Sequence, residues 1–566
     1  MNAAMNWIRK INWIRSHANL GLIVCGFCIL GTSLWLSSVS PKFDIEAAFK
    51  DRPVAVTVSV LIAASIVWLF ACWLVWGHKA DSADSKKSRT SILFWIIGIG
   101  IASRIALVIS TPILEIDLYR YLWDGRVAIE TGDPYQYAPV EFVQWQYAPE
   151  HRFNFTRSSE QLDWFRETAM KQDESMQTTL QVMAHHFGQF TSPYPPVSQA
   201  VFAAADLCCP HGSSLKTRLC VLKAWLVLFD IATGFVLILI LRQLKLPSTM
   251  SIVWFWSPLV LKEFANGGHL DSIAIFFATA FALFVVKQLG SSEKAFRWSM
   301  IAGAFLAFGV AAKIFPIVLA PIWAIITLRQ LGFKALVPGI VSIALIVILN
   351  IPMFSKVVEY QNKDKDALLP MPGLLAFTES WEMNDFLFMV IVENLKPAAI
   401  DENGEDQSPW MVVVPKSWRS EMDFKSAFSG TKRITVFIFF GIVIWTLLHW
   451  WYAEESQRQQ VFLESAFLTL AWFWLLSSTQ NPWYWCWAMP LLAFARSPFW
   501  FLIGVSTLLY YIRFWYDYSG HDIAGFDFVV PVLEFAPILL LLLVGTLKNR
   551  LWKPQLPGQN GIAAKT

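Results

Sequence analysis

The chain has 566 residues, of which 55% are hydrophobic and 15% charged, and its formal net charge is +3. A soluble protein carries nearer a quarter charged residues, so the composition excludes an ordinary soluble globular protein. The small net charge says nothing about partners, and we expect no nucleic-acid partner.

Long apolar runs recur along the whole chain, and about 20 apolar residues are enough to cross a bilayer as a helix. The runs are continuous rather than alternating, which favours helices and excludes a transmembrane barrel. The sequence therefore predicts an all-α polytopic membrane protein. The expected spans, about thirteen to fifteen in number, lie near residues 19–39, 53–77, 91–113, 195–209, 219–241, 249–265, 270–290, 297–312, 314–328, 335–353, 433–451, 460–479, 482–495, 497–515 and 526–547.

The short hydrophilic segments are basic, at the N-terminus, in residues 78–90 and in the C-terminal tail. Excess Lys and Arg marks the cytoplasmic side, so we expect both termini there. Two long acidic loops, 114–193 and 354–432, then face the opposite side. Within them we expect surface helices over 157–183 and a solvated excursion over 393–409.

This orientation holds along the chain only if one segment between residues 195 and 328 is short or re-entrant. The predicted division is an N-terminal transmembrane hairpin (1–90), a main transmembrane module (91–353) that includes the first loop, the second loop (354–432), and C-terminal spans with a tail (433–566).

The stretch DLYRYLWDGR follows directly on the third apolar run. In a helix, Asp117, Tyr121 and Asp124 share one face, with Arg120 beside them. An aromatic belt at the membrane surface accounts for the tyrosines and the tryptophan, but not for two carboxylates on one face. We favour a functional role for Asp117 and leave Asp124 undecided.

A second polar group interrupts the apolar sequence at LKEFANGGHLDS, residues 261–272. An ionisable residue inside the membrane costs about 2.5–3.5 kcal/mol to insert, so it usually lines a polar cavity. His269 and Asp271 are therefore candidates to bind a hydroxylated or charged substrate. The alternative is a simple outer turn capped by Asn266 and Asp271.

Lys313 lies between two apolar runs, where it would suit a phosphate group or extend to the membrane surface. Lys223, Asp230 and Glu534 are isolated charges that we expect to pair between helices. Other polar and aromatic residues at predicted span boundaries would suit a sugar ring or a headgroup belt; they are Tyr194, Trp381, Asn384, Asn481 and Tyr484. No nucleotide-binding motif is present, so we expect a donor that arrives through the membrane.

Six motifs follow one another along the chain. They are WDGR (123–126), GDPYQYAP (132–139), YPP (194–196), GHLD (268–271), KIFP (313–316) and NPWYW (481–485). The ordered set resembles the integral-membrane GT-C glycosyltransferases, especially glycosyltransferase family 87 and the polyprenyl-phosphate-mannose-dependent mannosyltransferases. The similarity runs from about residue 91 to about residue 540. It implies a bundle of roughly ten to thirteen helices with an extracytoplasmic first loop. Together with the apolar runs, we expect a GT-C-type bundle of about 11–15 transmembrane segments with two long extracytoplasmic loops.

The resemblance also implies an activity. Such enzymes transfer a hexose, here most simply mannose, from a polyprenyl phosphate to a hydroxyl of a glycan, lipid or protein, usually with inversion. Asp117 would be the general base, and His269 and Asp271 would hold sugar hydroxyls. The phosphate would be stabilised by Lys313, Arg120, Arg126 or a metal, with Asp124 orienting an arginine or sharing that metal. A divalent cation, Mg²⁺ or Mn²⁺, is left open, and a bacterial inner membrane is the expected location.

Three features depart from the family pattern: two extra N-terminal spans, GHLD where an amide often holds the third position, and the excursion over 393–409, which has no counterpart in the family. Two other functions compete with glycosyl transfer. A transporter or flippase of a lipid-linked sugar would carry internal repeats and mid-span charges, and we find no repeat. A catalytically silent scaffold would tolerate Asp117→Asn.

Overall fold

The computed structural model describes residues 18–76, 83–142, 174–185, 188–210, 212–362, 369–398, 408–419, 423–521 and 524–547. The basic N-terminal segment, the C-terminal tail, most of the predicted surface helix (157–173) and most of the predicted excursion (399–407) lie outside this range. Of the surface helix, the described part is helical from Glu174 to His185.

Helices form almost all of the regular structure. In chain order, those of seven or more residues are α1 (Ala18–Val39), α2 (Val54–Trp76), α3 (Ala83–Val108), α4 (Asp117–Thr131), α5 (Glu174–His185), α6 (Pro196–Leu207), α7 (Leu215–Gln243), α8 (Asp271–Leu289) and α9 (Ala295–Ala312). They continue with α10 (Ala320–Leu331), α11 (Leu336–Gln361), α12 (Gly373–Ser380), α13 (Leu387–Leu395), α14 (Phe424–Trp451), α15 (Arg458–Leu475), α16 (Trp500–Ser506), α17 (Ile512–Tyr518) and α18 (Ala524–Leu547).

Nine helices among the described residues are long and apolar enough to cross a membrane. The predicted all-α polytopic membrane fold is therefore confirmed. Fewer long helices form than the sequence predicted, because several apolar runs are broken. The run near 482–495 contains Pro482 and Pro490 and forms only short helical turns, since a proline cannot continue the hydrogen bonding of a helix.

Helix α6 has 12 residues, which is too short to cross a bilayer. This agrees with the expectation of a short segment between residues 195 and 328. At the second loop, α11 continues to Gln361 and α14 begins at Phe424, so the connection is shorter than the predicted 354–432. The two loops meet in a parallel pair of two-residue strands, β1 (Phe190–Thr191) and β2 (Met371–Pro372).

Helix α4 packs closely against α6 at Gly125. A Cβ atom at this position would lie 2.7 Å from the backbone oxygen of Phe202, so only glycine allows this approach. One turn earlier, the ring of Tyr121 stacks on that of Phe202 at a centroid distance of 4.6 Å. The close packing fixes the direction in which α4 leaves its first residue, Asp117.

Two polar contacts join α3 to α7 inside the bundle. Arg104 forms a two-pronged ion pair with Asp230, with Nη2 donating to Oδ1 at 2.8 Å. The ammonium of Lys223 donates to the backbone oxygens of Leu107 and Ser110, both at 2.7 Å. The Leu107 carbonyl lies in the last turn of α3 and the Ser110 carbonyl just beyond it, where helix carbonyls lack partners within the helix. Lys223 and Asp230 thus pair between helices, as expected.

Candidate active site

The buried side chain of Asn266 holds the residues between α3 and α4 at three points. Asn266 accepts a hydrogen bond from the backbone nitrogen of Ile113 at 3.0 Å and donates to Ser110 Oγ and the Thr111 oxygen, at 2.8 and 2.9 Å. The link carries Glu115 and leads into Asp117, the first residue of α4. A carboxylate at this position is favoured by the helix dipole.

Asn266 ends a short π-helix, Leu261–Asn266, that forms the opposite wall. The wide turn of a π-helix is uncommon and frequently occurs at functional sites. A glycine pair follows, and Gly268 has φ +67°, a conformation that costs glycine little. This turn places His269 beside the link, and α8 then begins at Asp271.

His269 lies among three carboxylates. Its Nε2 is 3.0 Å from Glu115 Oε2 and 3.2 Å from Glu263 Oε2, and its Nδ1 is 3.8 Å from Asp117 Oδ2. We call these four residues the His269 cluster. Burial lowers the pKa of His269, but the neighbouring Glu115 and Glu263 outweigh it and raise the pKa to about 10. The ring also stacks on Trp483 at a centroid distance of 4.0 Å.

Lys262 supplies a second positive charge to the buried side of the cluster. Its ammonium lies 3.3 Å from Glu263 Oε2 and 3.7 Å from Glu115 Oε2, the same two oxygens that His269 contacts. The hydroxyl of Tyr511 accepts from Lys262 at 2.5 Å and donates to Glu263 Oε1 at 2.7 Å. The interior of the cluster is therefore charge-balanced.

Asp117 is the most accessible carboxylate of the cluster. Its side chain is 23% exposed, against 6% for Glu115 and none for Glu263. Burial, followed by the charge of Glu115, raises the pKa of Asp117 to about 6. Tyr121 donates to Asp117 Oδ2 at 3.4 Å, the oxygen that also faces His269, which leaves Oδ1 for another group.

Lys313 and Asp271 form the next part of the site. The ammonium of Lys313 lies 2.7 Å from Asp271 Oδ1, and the indole nitrogen of Trp487 donates to the same oxygen at 2.6 Å. The other oxygen, Oδ2, is buried without a hydrogen-bond partner in the described structure. Burial lowers the pKa of Lys313, and the ion pair with Asp271 opposes that effect.

Aromatic rings surround this ion pair. The Lys313 ammonium lies 4.2 Å from the centroid of the Tyr484 ring, and Tyr484 stacks on Trp487 at 4.4 Å. Phe315 stacks on the other side of Trp487, also at 4.4 Å and nearly parallel. The rings exclude water from one side of Lys313, which strengthens its interaction with any anion.

Arg120, Asp124 and Arg126 lie outside both the His269 cluster and the ion pair of Lys313 with Asp271. Arg120 pairs with Asp124 at 2.9 Å, and Asp124 accepts a 2.5 Å hydrogen bond from Ser192. Arg126 lies 3.0 Å from Asp206 and 3.5 Å from Glu130. Asp124 is fully buried in this network, so its contacts are those of a packing residue that joins α4 to the start of α6.

Tyr194 connects the site to a surface cavity. Its ring meets Tyr121 edge-on at 5.1 Å, and its backbone oxygen accepts from the hydroxyl of Tyr135 at 2.8 Å. Tyr135 lines a cavity of about 220 Å³, together with Gln136, Thr191, Lys356, Glu359, Tyr360, Leu369, Pro370 and Pro372. Tyr121 and Tyr194 thus lie between the cavity wall and Asp117.

The remaining candidates join the second loop to the C-terminal part. The nitrogen of Met383 donates to the Ser478 oxygen at 2.9 Å, and the Trp381 oxygen accepts from Ser478 Oγ at 2.8 Å. Asn384 donates to Glu534 at 2.9 Å, which supplies the partner expected for that charge. The buried Oδ1 of Asn481 has no partner in the described structure. Roles for Trp381, Asn384 and Asn481 in sugar binding stay predictions.

Several residues of the site were missed by sequence reasoning. They are Glu115, Lys262, Trp483, Trp487 and Tyr511. Glu115 lies two residues before Asp117, and Lys262 lies in the polar stretch already noted, so both had a weak signal. The contact of Tyr511 with Lys262 joins residues 249 positions apart, and no local pattern indicates it.

The family model for the alpha-(1->6)-mannopyranosyltransferase N-terminal domain, MptA_B, matches residues 18–329, which is more than half of the chain. The chain belongs to the MptA_B family. It is thus a multi-pass membrane mannosyltransferase of the GT-C type. No curated protein and no solved structure matches it.

The MptA_B match covers the charged residues of the site. Asp117, His269 and Lys313 lie inside it, whereas the aromatic wall from Trp483 to Trp487 lies beyond its end. Because Trp483 stacks on His269 and Trp487 contacts Asp271, the part that follows the MptA_B domain completes its site.

Proposed function

We propose that this MptA_B protein transfers mannose from a polyprenyl-phosphate-mannose donor to an acceptor hydroxyl, with inversion and with Asp117 as general base. The family description supports mannose and an α-(1→6) product. The donor class is supported by the ordered motifs and by a polar site that lies within a membrane bundle. The acceptor is a glycan, lipid or protein that presents a hydroxyl group.

The observation that carries this proposal is the unequal exposure of the carboxylates. Glu115 and Glu263 are buried against His269 and Lys262, whereas 23% of the Asp117 side chain is exposed. A general base must come within hydrogen-bond reach of the proton that it removes. Of the carboxylates in the His269 cluster, Asp117 meets this condition best, through Oδ1.

The reaction needs one bond to form and one to break at the anomeric carbon. The acceptor oxygen attacks C1 as its proton passes to Asp117. The bond from C1 to the phosphate oxygen breaks, and polyprenyl phosphate leaves with the electron pair. Attack opposite to the leaving group inverts the configuration. Phosphate is a good leaving group, so the site has to stabilise charge rather than supply a proton.

Lys313 is the residue that we assign to the phosphate. It is 19% exposed, and a lysine ammonium suits phosphate as a compact charge. Asp271 would hold a sugar hydroxyl through its unpartnered Oδ2, and the ring of Tyr484 would lie against the sugar. Arg120 and Arg126 are less exposed than Lys313, at 4% and 12% of their side chains, and pair with carboxylates outside the His269 cluster.

The cavity beside Tyr135 and Tyr194 is the side from which we propose that the acceptor approaches. Its wall is polar and aromatic, as expected for a hydroxylated chain. The positive-inside pattern supports cytoplasmic termini and an extracytoplasmic site. A bacterial inner membrane is the location in keeping with a polyprenyl-phosphate donor.

The test uses membranes that contain equal amounts of wild type or Asp117→Asn protein. They receive a panel of radiolabelled polyprenyl-phosphate sugars with native lipid extract. We expect wild type to move mannose label from the carrier into a new product, and Asp117→Asn to lose at least about 10²-fold of that rate.

Asp51→Asn is the matched control, because Asp51 is an exposed aspartate between α1 and α2. It should transfer label at the wild-type rate. Equal transfer by Asp117→Asn would remove Asp117 as the base, and transfer of another sugar but not of mannose would overturn the donor assignment.

A further inference from the structure

Three residues of the His269 cluster carry possible metal-ligand atoms that the proposed proton transfer to Asp117 does not use. Glu115, Glu263 and His269 each offer one ligand atom, and these three atoms all lie within 4.8 Å of one another. Glu263 and His269 are buried, and Glu115 is nearly so. Two carboxylate oxygens and one imidazole nitrogen form a ligand set that Zn²⁺ and Mn²⁺ accept.

The orientation of His269 is the second observation. The imidazole is fully buried, yet neither ring nitrogen has a well-aligned hydrogen-bond partner in the described structure. Both carboxylate oxygens are close to Nε2, but they lie off the direction of its N–H bond. Nε2 thus lies close to both carboxylates without donating a hydrogen bond to either in the described structure. One explanation for a buried polar atom without an aligned partner is a water molecule or an ion that binds there.

The separations between the donors suit a metal ion. With metal–ligand distances of about 2.1 Å, neighbouring donors lie about 3.0 Å apart in octahedral and about 3.4 Å apart in tetrahedral coordination. The observed distances from Nε2 are 3.0 Å to Glu115 and 3.2 Å to Glu263. Small side-chain adjustments would therefore bring all three atoms around one ion.

We propose that Glu115, Glu263 and His269 form a binding site for a divalent transition-metal ion, Mn²⁺ or Zn²⁺, next to Asp117. Lys262 competes with this ion, because its ammonium contacts the same two carboxylate oxygens. Asp124 contributes nothing, since it lies in the separate network with Arg120 and Ser192. The site does not depend on the identity of the sugar donor, and binding can be measured without transfer.

The test uses the purified full-length protein in detergent, stripped with a chelator and then titrated with Mn²⁺. Electron paramagnetic resonance gives the amount bound, and electron spin-echo modulation detects a ¹⁴N nucleus bonded to the ion. We expect one Mn²⁺ per chain with a ¹⁴N signal, at least about tenfold weaker binding in Glu115→Gln, and no ¹⁴N signal in His269→Gln.

His449→Gln and Glu464→Gln are the matched controls, since this histidine and glutamate lie 3.5 Å apart elsewhere in the protein. They should leave the binding unchanged. Lys262→Met should tighten it, because it removes the competing ammonium. Absence of a ¹⁴N signal in wild type would overturn the site even if no variant folds. A signal unaffected by His269→Gln would mean another ligand set.

Failure of this experiment leaves the proposed transfer reaction standing, because Asp117 acts there without a metal. Failure of the label-transfer assay leaves the metal site standing in the same way.

Discussion

Asp117 and Asp124 lie two turns apart on one helix, but only the side chain of Asp117 is partly exposed. Asp124 is fully buried and pairs with Arg120 at 2.9 Å. Removing one partner of a buried ion pair leaves the other charge uncompensated and costs about 3–5 kcal/mol. We therefore expect Asp124→Asn to lower the free energy of unfolding by about this amount, measured by SDS-driven unfolding in mixed micelles. Asp117→Asn should stay within about 1 kcal/mol of wild type, and the reverse order would contradict this assignment.

Asn266 holds the link that carries Asp117 without being placed in contact with substrate. Asn266→Ala leaves the buried nitrogen of Ile113 unsatisfied, which costs about 1–3 kcal/mol. Because the link would then move, we expect kcat for transfer to fall about tenfold or more while the donor KM changes little.

A suitable comparison is Asn350→Ala, since Asn350 is a buried asparagine whose amide donates to the Ile346 oxygen within α11. This variant should keep the wild-type kcat. Equal losses in the two variants would show that Asn266 has only a general role in stability.

Gly125 sets the closest approach of α4 to α6. A methyl group there would meet the Phe202 oxygen at 2.7 Å, so Gly125→Ala should destabilise the protein by about 1–3 kcal/mol through overpacking. Gly98 lies on α3 with no atom within 4 Å of an added Cβ, and Gly98→Ala should be neutral or stabilising by about 0.5–1 kcal/mol. Thermal unfolding in detergent compares the two, and a similar melting temperature for both would count against the close contact.

Lys313 is the phosphate ligand in the proposed reaction. Lys313→Met removes the charge but keeps most of the side-chain volume, and we expect the donor KM to rise at least about tenfold. A charge-assisted hydrogen bond is worth about 1.5–3 kcal/mol, and about 1.4 kcal/mol corresponds to tenfold.

Lys287→Met provides the comparison. This lysine lies near the C-terminal end of α8, which is the end opposite to Asp271, and 5.0 Å from the centroid of the Trp298 ring. An unchanged donor KM in Lys313→Met, measured by initial rates over a range of donor concentrations, would exclude contact with the phosphate.

The membrane fold could be predicted from the sequence, because a run of about 20 apolar residues predicts a transmembrane helix without further information. The number of long helices was less predictable. Whether a run such as 482–495 forms one helix depends on its prolines and on what packs around it. The end of a helix was also hard to predict, since α11 continues eight residues past the predicted end of its apolar run.

The site was predictable where a residue is a charged or polar side chain beside or between apolar runs. Asp117, His269, Asp271 and Lys313 were all proposed, and the structure brings them together. The same helical spacing also suggested Asp124 and Arg120, and spacing cannot distinguish a residue that faces a cavity from one that faces another helix. The place of Glu115 in the site could not be predicted in this way. It depends on contact with His269, 154 positions away, and the two residues meet only when the chain folds.

The pairing of α3 with α7 has a consequence for how the protein is made. Either helix alone would bring an uncompensated charge into lipid: Arg104 on one, Lys223 and Asp230 on the other. Each such charge makes insertion less favourable by about 2.5–3.5 kcal/mol. The two helices therefore gain most by meeting before they are released into the bilayer. Since Lys223 also binds the carbonyls at the end of α3, this pairing fixes where the link to Asp117 begins, and Asn266, further along the chain, then holds the link itself.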